Sequence, residues 1–242
     1  MRRFFKKLFI IFTFICLGLA FTVFYTGFST YKSVTNSESI EDKVNELKMI
    51  EGYTNYNNID DLFLKAVVAT EDRRFYKRQG IDIISIIRAF FTNVKESEVV
   101  EGGSTITQQV AKNMYFSNAP SFKRKCAEIF LTRDLERMYT KDEILEMYVN
   151  INYYGDGFYG IHSASMGYFD KFPNELDLYE ATILAGLPQS PSIYQLSNGY
   201  DKIYERQEVV LRAMVNEKII SKTQMDDVIN SRSKRRNNER NN

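Results

Sequence analysis

The longest apolar run in the chain lies close to its N-terminus. No charged side chain occurs in residues 8–31, which read LFIIFTFICLGLAFTVFYTGFSTY. About 20 helical residues, at 1.5 Å each, cross the roughly 30 Å of hydrocarbon in a bilayer, so this run is long enough to span one. Ala20 and Gly27 leave a signal peptide open, but no clear cleavage site follows, and the run predicts an uncleaved transmembrane anchor.

Basic residues flank this run unevenly. The preceding tail, residues 1–7, contains four Lys or Arg residues, whereas residues 32–46 contain only Lys32 and Lys43. The positive-inside rule therefore predicts a cytoplasmic N-terminus and an extracytoplasmic body.

The remaining hydrophobic pattern has a helical period. In a predicted juxtamembrane stalk, residues 32–58, Ile40, Val44 and Leu47 indicate a short amphipathic helix. A second helix is predicted over residues 60–73. Residues 81–91 (IDIISIIRAFF) are apolar but too short to span a bilayer, which leaves a core helix or an interfacial segment. No alternating strand pattern and no repeat appears in the sequence.

Three later helices are predicted from their N-terminal capping boxes, in which two side chains each satisfy a free backbone amide. These boxes are Thr140–Glu143, Asp177–Glu180 and Ser221–Gln224. We predict one main domain over residues 59–230, followed by a basic disordered tail over residues 231–242.

Composition excludes several functional classes. Hydrophobic residues make up 44% and charged residues 26% of the chain, which is typical of a globular protein. The formal net charge is only +1, with basic residues concentrated at both ends, which argues against nucleic-acid binding. The cysteines, Cys16 and Cys126, form no disulfide framework, and a single histidine, His162, excludes a multi-histidine metal site.

Charged and polar clusters offer three candidate sites. Residues 71–75 (EDRRF) end an apolar helix, where Glu71 can accept a hydroxyl proton, although such clusters are more often solvated ion pairs. Residues 102–113 (GGSTITQQVAKN) place a glycine-rich loop before a helix, which predicts either an anion site or a simple helix cap. In residues 123–128 (KRKCAE), Arg124 and Lys125 are spaced to pair with Glu128, as a surface ladder or a pyrophosphate site.

The order and spacing of these strings resemble one family. EDRRFYKRQG, GGSTITQQVAKN, RKCAE and KDEILEMYVN are similar to the first four motifs of the family 51 peptidoglycan glycosyltransferases, and YYGDGFYGIHSASMGYF and EATILAGLPQSPS are similar to later blocks. The resemblance covers residues 60–214. It implies a mainly α fold with a lysozyme-like catalytic lobe and a smaller, membrane-associated jaw lobe that includes residues 81–103.

The resemblance also implies a reaction and its partners. The 4-hydroxyl of lipid II attacks the anomeric carbon of a growing lipid-linked glycan strand, undecaprenyl pyrophosphate leaves, and the configuration inverts. The expected location is the outer face of a bacterial cytoplasmic membrane. Because no transpeptidase sequence follows residue 242, we expect separate transpeptidases to crosslink the product.

Site residues follow from the matched motifs. Glu71 takes the role of general base, and Glu128 is the second acid, which organises cations or binds a divalent metal, Mg²⁺ or Mn²⁺. No organic cofactor is implied. The implied substrate-binding residues are Asp72, Phe75, Ser104, Gln108, Gln109, Lys112, Arg124 and Lys125.

The chain departs from the family pattern at one position, and two alternative functions stay open. The first motif commonly has histidine three residues after the phenylalanine, and this chain has Arg78, whose guanidinium is always charged. A lysozyme-like hydrolase would need a general acid but no cation cluster. An inactive membrane scaffold for wall enzymes would need neither.

Overall fold

A computed structural model of the chain describes residues 2–78, 103–116 and 121–239, with side chains described from residue 4 to residue 232. Its helices are α1 (Arg2–Ser37), α2 (Ile40–Lys48), α3 (Asp61–Glu71), α4 (Ile106–Tyr115), α5 (Phe122–Met138), α6 (Lys141–Ile151), α7 (Gly160–Phe169), α8 (Leu178–Gly186), α9 (Pro191–Tyr194), α10 (Tyr200–Asn216) and α11 (Lys222–Glu239). Within these ranges the only β-type pairing is an isolated bridge between Tyr153 and Tyr159. The mainly α fold is confirmed.

Local sequence signals place most helix starts correctly. All three predicted capping boxes form, and each capping side chain accepts from the amide three residues later. Helix α3 lies within the predicted range, with Asp60 accepting from the amide of Phe63 at 2.8 Å. A fourth box, Thr105 with Gln108, begins α4 and was not predicted.

The two ends of the chain compare differently with the prediction. Helix α1 spans Arg2–Ser37 and so extends beyond the predicted anchor, residues 8–31, in both directions. The predicted disordered tail is wrong for residues 231–239, since α11 continues to Glu239. Arg232 attaches α11 to α10. Its guanidinium is buried and donates to Gln207 Oε1 at 2.9 Å and to the carbonyl of Tyr204 at 3.0 Å. The predicted jaw region, residues 81–103, lies outside the described residues except for Gly103.

The core surrounds α8, which is buried along almost its whole length. A helix that is apolar on all sides requires neighbours on all sides. Helices α3 and α10 pack against α8 and against each other, while α4 packs between α5 and α6. The predicted stalk residues Ile40, Val44 and Leu47 are also buried in this core, so α2 belongs to the domain. This arrangement brings the end of α3 close to α4 and α10.

Helix α1 has two distinct parts. Its segment Phe4–Ser37 is the one described helix that is long and apolar enough to cross a membrane, and its N-terminal part is exposed. Its C-terminal part packs against α5, where Phe24, Phe28 and Tyr31 surround Phe130 at ring-centroid distances of 5.3 to 5.5 Å. The Tyr31 hydroxyl donates to Asp134 one turn further along α5.

Candidate active site

Glu71 is the last residue of α3, and two side chains from other helices hold its carboxylate. Gln109 Nε2 on α4 donates to Glu71 Oε2 at 2.9 Å, and Arg206 Nη2 on α10 lies 3.3 Å from Oε1. The Glu71 side chain remains 14% exposed, so it is fixed in orientation yet reachable from solvent. A carboxylate in this condition can accept a proton from a bound hydroxyl group.

Arg206 is a site residue that the sequence reasoning missed. Its guanidinium is buried, and its Nε donates to the carbonyl of Gly186 at 3.3 Å. A Cβ at Gly186 would lie 2.9 Å from Arg206 Cγ, so the glycine permits this close approach. The available signal was an arginine between Ile203 and Val210, on the apolar face of α10.

Arg124 and Lys125 form a cation cluster around the carboxylate of Glu128 on α5. Arg124 Nε lies 2.9 Å from Glu128 Oε1, and Lys125 Nζ lies 2.9 Å from Glu128 Oε2. Glu128 is 1% exposed, which contradicts a solvated surface ladder. Lys125 Nζ also donates to Ser104 Oγ at 2.8 Å, which joins the glycine-rich loop to α5.

Lys112 on α4 connects this cluster to Glu71. The pKa of Lys112 is lowered overall, and burial is the largest cause. The positive charges of Arg124 and Lys125 also lower it, whereas the negative charges of Glu128 and Glu71 raise it. Lys112 therefore lies within electrostatic range of both predicted acids. The structure brings Glu71, Gln109, Lys112 and the cation cluster into one region.

Three predicted substrate-binding residues are buried behind this region. Phe75 has no exposed surface, and Asp72 accepts from the amide of Ile106 at 3.2 Å. Gln108 closes the α4 capping box, with its Oε1 accepting from the amide of Thr105 at 3.0 Å. Their burial argues against direct substrate contact, and all three stabilise the elements that carry the site. A side chain that caps a helix and one that binds a ligand have the same sequence signature.

An open cleft of about 450 Å³ begins at Gln109 and Lys112. Its other walls come from residues that the sequence reasoning did not single out, namely Asn113, Phe116, Ile151, Asn152, Tyr153, Tyr159, Pro188, Gln189, Pro191 and Ser192. Tyr153 and Tyr159 lie with ring centroids 4.7 Å apart, and polar atoms dominate the rest of the wall. An open cleft with polar walls and two tyrosine rings suits a carbohydrate ligand.

A family comparison agrees with this geometry. The model of the Transglycosylase family matches residues 36–215. The chain belongs to the transglycosylase family. The domain of this family is lysozyme-like, and the matched range contains every described site residue named above.

Similar sequences occur within larger proteins. Penicillin-binding protein 1A of Neisseria gonorrhoeae is 41% identical over 178 residues, which cover 74% of this chain and 22% of that protein. Penicillin-binding protein 1F of Bacillus subtilis is 42% identical over 165 residues, covering 68% and 23%. Penicillin-binding protein 1A of Aquifex aeolicus is 38% identical over 178 residues, covering 74% and 24%. The chain thus matches less than a quarter of the length of these relatives.

The surroundings of Glu128 do not fit a divalent metal ion. Both of its oxygens are already paired with Arg124 and Lys125, and the positive charges of these two side chains repel a metal ion. Among the described residues, no group of three or more His, Cys, Asp or Glu side chains is placed to hold one. The binding of Mg²⁺ or Mn²⁺ that the resemblance allows stays a prediction, and no step of the reaction is assigned to a metal.

Two further features lie outside the site. His162 packs beside Phe172, with ring centroids 6.0 Å apart. In α6, Ile144, Leu145 and Tyr148 are fully buried, which gives the KDEILEMYVN motif a structural role.

Proposed function

We propose that this transglycosylase is a peptidoglycan glycosyltransferase that polymerises lipid II into glycan strands and releases undecaprenyl pyrophosphate. The observation that carries the proposal is that α4 brings two kinds of group to one cleft. Gln109 and Lys112 both line this cleft. Gln109 holds the carboxylate of Glu71 together with Arg206, and Lys112 interacts electrostatically with Arg124, Lys125 and Glu128 on α5. One side of this arrangement accepts a proton, and the other stabilises a departing anion.

The reaction assigns each side chain a separate task. Glu71 removes the proton from the 4-hydroxyl of the lipid II acceptor while that oxygen forms a bond to the anomeric carbon of the lipid-linked strand. The bond from this carbon to the pyrophosphate oxygen breaks, with both electrons remaining on the oxygen. Lys112, Arg124 and Lys125 stabilise the developing charge. Attack from the face opposite the leaving group inverts the configuration.

The cation cluster favours transfer over hydrolysis of a finished glycan. A lysozyme-like hydrolase must protonate a leaving sugar oxygen, so it needs a carboxylic acid in contact with the glycosidic bond. Glu128 is buried and paired with two cations, and Glu71 is paired with Arg206. Three adjacent cations, Lys112, Arg124 and Lys125, suit a pyrophosphate leaving group instead.

The register between α1 and α5 supports a membrane location. The two helices run parallel, because Gly27 meets Cys126 and Tyr31 meets Asp134. If residues 8–27 cross the hydrocarbon, Gly27 lies near its outer boundary, and Arg124 and Lys125 lie near the headgroups. We propose that the N-terminus is cytoplasmic and that the domain meets lipid-linked substrate at the outer face, as the flanking charges predict.

Purified protein incubated with fluorescent lipid II in detergent tests this function. We expect a ladder of longer glycan strands that grows with time. Preformed glycan strands incubated in parallel distinguish the alternatives, because a hydrolase shortens them and a transferase does not. A protein that binds wall enzymes but leaves both substrates unchanged would overturn the proposal in favour of a scaffold.

A further inference from the structure

Arg78 lies in a buried network of charges next to the proposed site. Its side chain is 5% exposed, and its guanidinium bonds both oxygens of Asp72, with Nε 3.4 Å from Oδ1. Its third nitrogen, Nη1, lies 3.1 Å from Glu136 Oε1 on α5. A planar guanidinium can hold two carboxylates in fixed directions in this way, whereas a lysine ammonium cannot.

The two carboxylates extend the network to α4. Asp72 Oδ2 accepts from the amide of Ile106, and Glu136 Oε1 accepts from the hydroxyl of Thr107 at 2.7 Å. Ile106 and Thr107 form the first turn of α4, which two residues later carries Gln109, the donor to Glu71. Glu71 itself directly precedes Asp72. The network therefore connects both partners of the hydrogen bond between Glu71 and Gln109.

A second cation joins the network. Lys141 at the start of α6 lies 2.8 Å from Glu136 Oε1, so among the described residues Arg78 and Lys141 face Asp72 and Glu136. The Phe75 ring packs beneath both cations, 4.6 Å from Lys141 Nζ and 5.9 Å from the Arg78 guanidinium carbon. Removing one charged side chain from this network leaves its partner buried without a counter-charge. The surrounding elements must then move so that water can reach that charge.

We propose that Arg78 is a positioning residue: through Asp72 and Glu136 it fixes Glu71 relative to α4 and to the cation-bearing helix α5. Arg78 does not touch substrate in this role. The inference rests on the proposed function for its kinetic consequences, but not for its structural ones. This role also accounts for Arg78 at the position where the family commonly has histidine, since an arginine keeps the network charged at any physiological pH.

Substitution by histidine gives a kinetic test. A histidine between Asp72 and Glu136, with Lys141 beyond Glu136, should have a raised pKa because the two carboxylates favour its charged form. The stabilisation is present at low pH and is lost as pH rises through that pKa. We expect the kcat of Arg78→His relative to wild type to fall about tenfold or more between about pH 5.5 and 8.5. The KM for lipid II should change less than about twofold, since no substrate contact is lost.

Hydrogen exchange gives a test that does not depend on activity. In Arg78→His at high pH, and in Arg78→Met at any pH, the amide of Ile106 should exchange faster because Asp72 is no longer held. Arg78→Lys should lie between these variants and wild type. Arg212→Met is the matched control, because Arg212 is 70% exposed and pairs only across the surface of α10 in the described contacts. It should alter neither kcat nor exchange at Ile106.

The outcomes separate the positioning role from its alternatives. Circular dichroism confirms that each variant is folded at the assay temperature. If folded Arg78→His keeps the wild-type kcat across the pH range and Ile106 exchange is unchanged, the proposal is overturned. A rise in KM at constant kcat would also overturn it, in favour of substrate contact. If wild type makes no polymer, the proposed function fails, while Ile106 exchange in Arg78→His still decides whether Arg78 positions α4.

Discussion

At the scale of single residues, the pairing of Glu71 with Gln109 and Arg206 defines the proposed proton acceptor. Glu71→Gln keeps the shape of the side chain but cannot accept a proton, so we expect polymerisation to fall by at least about a hundredfold. The melting temperature should change little. Glu41→Gln, an exposed position on α2, is the matched control and should retain full activity. Near-normal turnover of Glu71→Gln would remove Glu71 from the mechanism.

Lys112 should affect activity and stability in opposite directions. Burial lowers the pKa of Lys112, so the folded state holds its charged form less favourably than the unfolded state does. The resulting penalty is fully present below the lowered pKa and disappears as pH rises toward the ordinary lysine value. We therefore expect Lys112→Met to keep or raise the melting temperature at neutral pH, with an advantage over wild type that shrinks at alkaline pH.

Lys112→Met should also abolish most of the polymerisation activity. Removing one preorganised cation from a developing anion costs about 3 kcal/mol of transition-state stabilisation, or roughly a hundredfold in rate. Wild-type activity should also decline at alkaline pH as Lys112 loses its proton. Lys65→Met, an exposed lysine on α3, serves as the control for both measurements. A Lys112→Met protein that is less stable but fully active would identify Lys112 as a structural ion-pair residue.

At the scale of helices, the contact between α1 and α5 fixes the cation cluster relative to the anchor. A Cβ at Gly27 would lie 2.2 Å from Cys126 Cβ, whereas a Cβ at Gly18 would meet nothing within 4 Å. Gly27→Leu should therefore force the helices apart and lower polymerisation in membranes at least severalfold. Gly18→Leu, an equally apolar change on the same helix, should have no effect. Equal activity of the two variants would show that this contact does not support the site.

At the scale of the whole molecule, the anchor and the domain are not independent. Deleting residues 1–22 removes most of the apolar run but keeps Phe24, Phe28 and Tyr31 against α5. This truncation should be more soluble and retain activity on lipid II in detergent. Deleting residues 1–31 removes the aromatic contacts as well and should lower both the melting temperature and the activity. Thermal unfolding and polymerisation assays of the two truncations test this, and identical behaviour would contradict it.

The sequence alone determined the features that depend on local order along the chain. The apolar helix, the mainly α fold and three capping boxes follow from hydrophobic period and from side chains that bond amides three residues away. Glu71, Lys112 and the pairing of Glu128 with Arg124 and Lys125 were also predicted, because their motifs are contiguous. Spacing of three or four residues on a helix is enough to bring such cations to one carboxylate.

Only the tertiary structure decided which of these residues are accessible and what holds them. Arg206 reaches Glu71 from a helix that follows it by more than 100 residues, and no local pattern encodes that contact. Asp72, Phe75 and Gln108 are buried, which favours a supporting role over direct substrate contact. The contacts of Arg232 with α10 hold α11 against the domain, where the sequence predicted a disordered basic tail. In each case the packing of distant helices, rather than the residue type, determines whether a polar side chain binds substrate or stabilises the fold.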